Sequence, residues 1–252
     1  MKSITEHINE KLQLNHNLAY KQEYKYFPET KNEFHKIFLE VLKEHLNTNQ
    51  NGVLDLNNIN VSELDNMQGL FFSNETNIYI KYLKHIDISQ WDVSNVRDMS
   101  HMFYNTKLQT VGNLSRWNVS NVESMAYMFA NCNKLKSIDI SNWNTKSLHT
   151  MPGMFLNCSS LATTGDLHDL NVSSVDSMNL MFSQCSKLKN IGDISQWDLS
   201  NCTTISGMFI DCEKLEYAGD LELWETKIQN DCNCTNAFLG SGLEKPSWYH
   251  SK

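Results

Sequence analysis

WDVSNVRDMSHMF at residues 91–103 returns as WNVSNVESMAYMF at residues 117–129. Self-similarity at a fixed step overrides any segment-by-segment reading, because a repeat cannot bury its apolar face alone and must stack on its neighbours. Working outward, Trp91, Trp117, Trp143, Leu170, Trp197 and Trp224 follow one another at 26 or 27 residues. Phe103, Phe129, Phe155, Phe182 and Phe209 keep the same step. So do Met99, Met125, Met151 and Met178, with Ile205 next, and Met102, Met128, Met154, Met181 and Met208. Cys132, Cys158, Cys185 and Cys212 form a further ladder.

One unit spans residues 133–158. Leu135, Ile138 and Ile140 follow the LxxLxL pattern of a leucine-rich-repeat strand. A polar turn surrounds Trp143. In the unit before, Ser120-Asn-Val-Glu123 has the form of a helix capping box, and Val122, Met125, Met128 and Phe129 share one helical face. The expected fold is therefore an α/β solenoid. It is a leucine-rich-repeat-like right-handed coil of strand–turn–short-helix repeats with a parallel concave sheet, plus a helical N-terminal cap.

The units of 27 residues carry an added glycine in Gly165-Asp166, Gly192-Asp193 and Gly219-Asp220, the mark of a bulge or bend. Val61, Met67, Leu70 and Phe71 trace a degenerate first unit, and residues 72–84 are an insertion after it. Residues 53–224 read as the repeat region with 225–252 as a C-terminal cap, where Trp248-Tyr249 either closes the last unit or lies exposed. Residues 1–52 read as a helical cap or docking segment. Thr30-Lys-Asn-Glu33 caps a helix whose apolar face is Phe34, Ile37, Phe38, Val41, Leu42 and Leu46, with Asn51-Gly52 as its stop. A weaker helix is expected over residues 3–13.

Composition narrows the function. The chain has 252 residues and a formal net charge of −8, and Arg97 and Arg116 are its two arginines. No basic stripe suited to phosphates is present, which argues against nucleic acid. The start lacks a signal-peptide pattern, and no apolar run has the length of a membrane span. A soluble protein, cytoplasmic at synthesis, is expected, with a surface or virion location reached by another route. Seven cysteines without a leader argue against a disulfide framework. Cys202 and the four of the ladder read as core. Cys232-Asn-Cys234 is the close pair, without a zinc-spaced second pair.

The outward position of each strand holds Asp87, Asn113, Asp139, Asp166, Asp193 and Asp220, followed two residues later by Ser89, Ser115, Ser141, His168, Ser195 and Glu222. Two readings of this row stand side by side. It is a recognition edge for a basic partner, a cation or a sugar, or it keeps the sheet soluble and caps turns. The glycine–aspartate density of calcium-binding repeats is missing, so no metal is expected. No phosphate loop, dinucleotide fingerprint, zinc-protease helix or nucleophile elbow occurs. The expectation is a protein that is not an enzyme and needs no cofactor.

The two quoted strings, with Asn131-Cys132 and Ile138-Asp139-Ile140-Ser141, resemble the BspA-like repeat of bacterial surface proteins. This leucine-rich-repeat variant is also known as a domain of unknown function in mycoplasma lipoproteins. The resemblance covers most of the chain and implies adhesion and the binding of host or matrix proteins; a protein is the foremost partner expected, with a glycan as the other. Its members carry export signals, from which this sequence departs. Tyr26-Phe27-Pro28 ahead of a lysine- and glutamate-bearing helix is similar to short repeat proteins of gut Bacteroidales and their phages. That implies the alternative role, a structural component of a virion or envelope complex docked through the N-terminal segment.

Overall fold

The computed structural model describes residues 24–48, 52–72, 80 and 83–249. The expected helix over 3–13, Asn51 and most of the insertion after Phe72 lie outside the described residues.

Thr30 opens the first helix, α1 (Lys31–Asn47), as its sequence predicts. Its hydroxyl accepts from Glu33 N at 3.2 Å, and the Glu33 carboxylate accepts from Glu29 N at 2.9 Å. The buried face is Phe34, Phe38, Val41 and Leu42, while Leu46 is exposed. This face lies on the first repeat unit. Phe34 and Phe38 meet the Phe71 ring edge-on at 5.8 and 5.5 Å. The His35 ring contacts the Leu70 carbonyl, and Lys31 Nζ donates to Gln68 O.

Beyond α1, the expected α/β solenoid of strand–turn–short-helix repeats is not what the chain builds. Among the described residues, regular structure comprises α1, the two-residue parallel strands β1 (Leu54–Asp55) and β2 (Ile86–Asp87), and a 3-10 helix over Leu221–Thr226. No concave sheet forms, since pairing elsewhere falls to isolated parallel bridges such as Asp98↔Ser124, Ser124↔Thr150 and Thr150↔Ser177.

The segment read as a helix is a run of turns. Met102 N donates to Met99 O, Tyr104 N to His101 O and Thr106 N to Phe103 O, each three residues back. The intervening amides point to the next unit. Met99, His101, Phe103 and Asn105 donate to the carbonyls of Ser124, Ala126, Met128 and Ala130 at 2.8–2.9 Å. A helix would satisfy all these groups within itself, which would leave nothing to join the units. Left-handed backbone makes the alternation possible, at His101 (φ 56°) and Asn105 (φ 59°), and at their equivalents Tyr127, Asn131, Leu180 and Gln184. Asparagine tolerates this region better than most side chains, which gives Asn131-Cys132 and Asn157-Cys158 a physical reason. The capping box read at Ser120 is absent too: Glu123 N donates to Arg97 O, and Ser120 N donates to Asn118 Oδ1. Spacing of i, i+3 belongs to successive turns as much as to a helix.

Apolar ladders fill the interior. Phe71, Phe103, Phe129, Phe155, Phe182, Phe209 and Phe238 form one column with ring centroids 5.0–5.8 Å apart. Trp248 and Tyr249 close its far end edge-on, at 6.3 and 5.0 Å from Phe238. All six tryptophans donate their indole N–H to a carbonyl of the preceding unit, from Trp91 on Leu56 O to Trp248 on Leu221 O. The ladder cysteines behave alike, each Sγ lying 3.0 Å from a phenylalanine carbonyl one unit back.

Two outcomes follow for stability. Phe155 is fully buried in mid-column, so Phe155→Ala should lower the unfolding free energy in urea by about 3–5 kcal/mol. Gln184 is exposed with φ 62°. Gln184→Val should cost about 1–2 kcal/mol, whereas Gln184→Gly should be neutral or gain up to about 1 kcal/mol.

Candidate functional site

Asp87, Asn113, Asp139, Asp166, Asp193 and Asp220 each occupy the same corner of successive units. Each side chain accepts the backbone N–H two residues on: from Ser89, Ser115, Ser141, His168, Ser195 and Glu222, at 2.9–3.2 Å. Short acidic and amide side chains form such turns against their own backbone. The turn-capping expectation for the row is therefore met in every unit.

The serines of the row do less at the surface than their spacing suggests. Ser195 is buried at 3% exposure, and Ser89, Ser115 and Ser141 are half-buried. The Ser141 hydroxyl donates to Asp139 Oδ1 at 2.7 Å and accepts from Asp166 N at 2.8 Å, tying one unit to the next. Asn113, Asp139, Asp166 and Asp220 are exposed, while Asp87 and Asp193 are half-buried.

The added glycine belongs to this site. A Cβ on Gly192 would collide with the Asp166 carboxylate, and one on Gly219 with that of Asp193. Gly112 and Gly165 face Asp87 and Asp139 in the same way. At φ between 79° and 91°, these positions need glycine for conformation as well as for space. No strand forms at these glycines for a bulge to interrupt, and each instead seats the carboxylate of the preceding unit.

Electrostatics follow the hydrogen bonds. The Ser195 hydroxyl and backbone N–H hold the Asp193 carboxyl below the usual 3.8. Asp198 is lowered by Ser200 in the same manner. Burial pushes Asp87 up, but hydrogen bonds from Ser89 and Asn57 outweigh it.

Sequence reading did not single out a second set of corners. Asp92, Asn118, Asn144, Asn171 and Asp198 accept from the residue two places on. Asn95, Asn121 and Asn201 donate to serine carbonyls one unit back. The recurrence of Asn/Asp-x-Ser was the available signal. At the C-terminal end, a cavity of about 230 Å³ is lined by Glu216, Asp220, Glu222 and Lys245 among others. It is smaller than the roughly 300–1,000 Å³ usual for ligand pockets. Among the described residues, no cluster suited to a metal ion occurs and no helix is long and apolar enough to cross a membrane.

These features define a class: a repeat protein whose units are closed by side-chain-capped turns and joined by backbone bonds. The family described as Mycoplasma protein of unknown function, DUF285, matches over residues 34–138, 76–190 and 138–242, and the chain belongs to it. No curated protein and no solved structure matches the chain.

A depressed carboxyl stabilises the fold above its unfolded pKa, and that contribution is lost as pH falls through the folded value. Asp193 should therefore titrate with a midpoint below 3.8, read by carboxyl carbon NMR. Asp193→Asn should keep the turn and flatten the acid limb of the stability–pH curve. A midpoint at or above the ordinary value would refute the hydrogen-bonded turn.

Proposed function

We propose that this chain is a non-catalytic binding module of the BspA-like kind, acting in adhesion and presenting the aspartate row to a protein partner rich in basic side chains. The observation that carries this reading is Asn113. It makes the same turn as its five acidic counterparts, with Ser115 N donating to its side-chain oxygen at 2.9 Å. The corner thus requires an acceptor oxygen and not a charge. Aspartate at the other five positions adds negative charge that the turn does not require.

That charge recurs at the same corner of successive units, in a stack whose phenylalanine rings lie 5.0–5.8 Å apart. Like charges on neighbouring units repel one another even at the surface. Lysine or arginine side chains laid along the row would relieve the repulsion, and the field of a body at net charge −8 would speed their approach. The alternative, assembly through residues 1–52, has less support. The apolar face of α1 is already engaged on Phe71, and Phe34 also meets Trp91 at 5.5 Å.

The test uses the turn's tolerance of a neutral acceptor. Asp139→Asn, Asp166→Asn and Asp193→Asn together should leave the chain folded, at a cost limited to the charge that the Asp193 turn stabilises. Binding to arrayed basic surface proteins should fall at least tenfold, and the remaining affinity should depend less on salt. Equal binding by variant and parent would reject the row as the recognition edge. Retention on neutral glycans by both would move the assignment to a sugar and to another face.

A further inference from the structure

The cysteines divide into two groups. Cys132, Cys158, Cys185 and Cys212 are buried, with each thiol against a phenylalanine carbonyl. Burial pushes Cys132 up to about 11 and Cys212 up to about 12, and raises Cys158 and Cys185 as well. Thiols in that state are inert. Cys202, Cys232 and Cys234 instead gather where the last two units join. Cys202 is buried, and the other two are half-buried.

The backbone brings them together. Thr204 bridges Asn233 in parallel, Asn233 N donates to Thr203 O at 2.9 Å, and Ile205 N donates to Asn233 O at 3.0 Å. This register sets Cys232 opposite Thr203, the residue that follows Cys202. The Cys232 thiol lies near enough to those of Cys202 and Cys234 for both to perturb its acidity. Cys202 Sγ also reaches Thr204 O, and Cys234 Sγ reaches Cys232 O.

We propose that Cys202 and Cys232 are an oxidation site, which forms a disulfide between the last two units by exchange with a low-molecular-weight disulfide. Cys232, the more exposed of the two, loses its proton to solvent and attacks one sulfur of the reagent as the thiolate. The reagent's S–S bond breaks and the first thiolate leaves, taking up a proton from solvent. Cys202, deprotonated in its turn, attacks Cys232 Sγ and expels the second thiolate, which is protonated by solvent. Two cysteines are oxidised and one external disulfide is reduced to two thiols.

The bond would fasten the final unit, which carries Phe238 and the Trp248–Tyr249 closure, to the unit before it. It would persist where the surroundings are oxidising and open where they are reducing.

The experiment incubates the purified full chain with glutathione disulfide, digests it with trypsin without reduction, and reads the peptides by mass spectrometry. The expected product joins residues 190–214 to residues 228–252 through Cys202 and Cys232. The oxidised protein should melt several degrees higher than the same protein after dithiothreitol, as closing a loop restrains the unfolded chain. Cys234→Ser should still form the bond. Cys202→Val, which installs the residue present at Val96 and Val122, should fold, lose the cross-link and retain only mixed disulfide at Cys232. A bond between Cys232 and Cys234 within residues 228–252, a bond through Cys212, or mixed disulfide alone in the parent would each overturn the proposal.

Discussion

Along each Met-x-x-Met-Phe segment and the residues just after it, backbone amides alternate between bonds within their own unit and bonds to the next. Every other feature depends on that division. Four inter-unit bonds, such as those from Met125, Tyr127, Phe129 and Asn131 to the following unit, fix the spacing at which the phenylalanine rings stack. The spacing then sets how closely each aspartate approaches the glycine of the next unit. A helix in this segment would take the same amides for itself, and a continuous strand would not turn back to close the unit. The left-handed residue at every second turn is the local strain that makes the division work. It is tolerated because the side chains on either side, such as Met102 and Phe103, are fully buried.

Such a stack must end somewhere, and at each end an unpaired phenylalanine face would meet water. At one end α1 supplies Phe34 and Phe38 edge-on to Phe71, and at the other Trp248 and Tyr249 stand edge-on to Phe238. Perpendicular contact suits this task. A parallel ring would present another open face for stacking, whereas an edge-on ring satisfies the quadrupole and stops the series. The two closures come from unrelated sequence, one a capped helix and one a short turn, and share only this geometry.

What could be read from the sequence follows the same physics. The tryptophan, phenylalanine, methionine and cysteine ladders are all buried as their common step implied, because a residue repeated once per unit must meet its own copies. The Thr30 cap was legible since the cap hydroxyl and the Glu33 amide that donates to it lie three residues apart in one segment. The helices inside the units were misread. Val122, Met125, Met128 and Phe129 are inward-facing in successive turns as they would be in a helix, and the difference lies in the partners of backbone groups, which side-chain type does not report. For the same reason the Ser120–Glu123 pattern resembled a cap whose amide was in fact bonded to Arg97. The glycine of the longer units was read as a bulge or bend in a strand that does not form; its reason, the carboxylate of the unit before, sits 26 residues away and becomes visible only in three dimensions.

Leu170 allows the ladders to be ranked. It stands where five other units place tryptophan, so the Ile140 carbonyl receives no indole N–H, only the backbone N–H of Trp143. Trp117 stacks on Trp143 and Trp197 on Trp224, while the series between them is interrupted. Across the same gap the phenylalanine rings continue, with Phe155 on Phe182 at 5.6 Å. The amides of Met151, Gly153, Phe155 and Asn157 also still reach the next unit. A chain that omits one rung of the indole ladder and keeps every rung of the other two uses tryptophan to reinforce a corner, while the amide ladder and the phenylalanine column hold the units together.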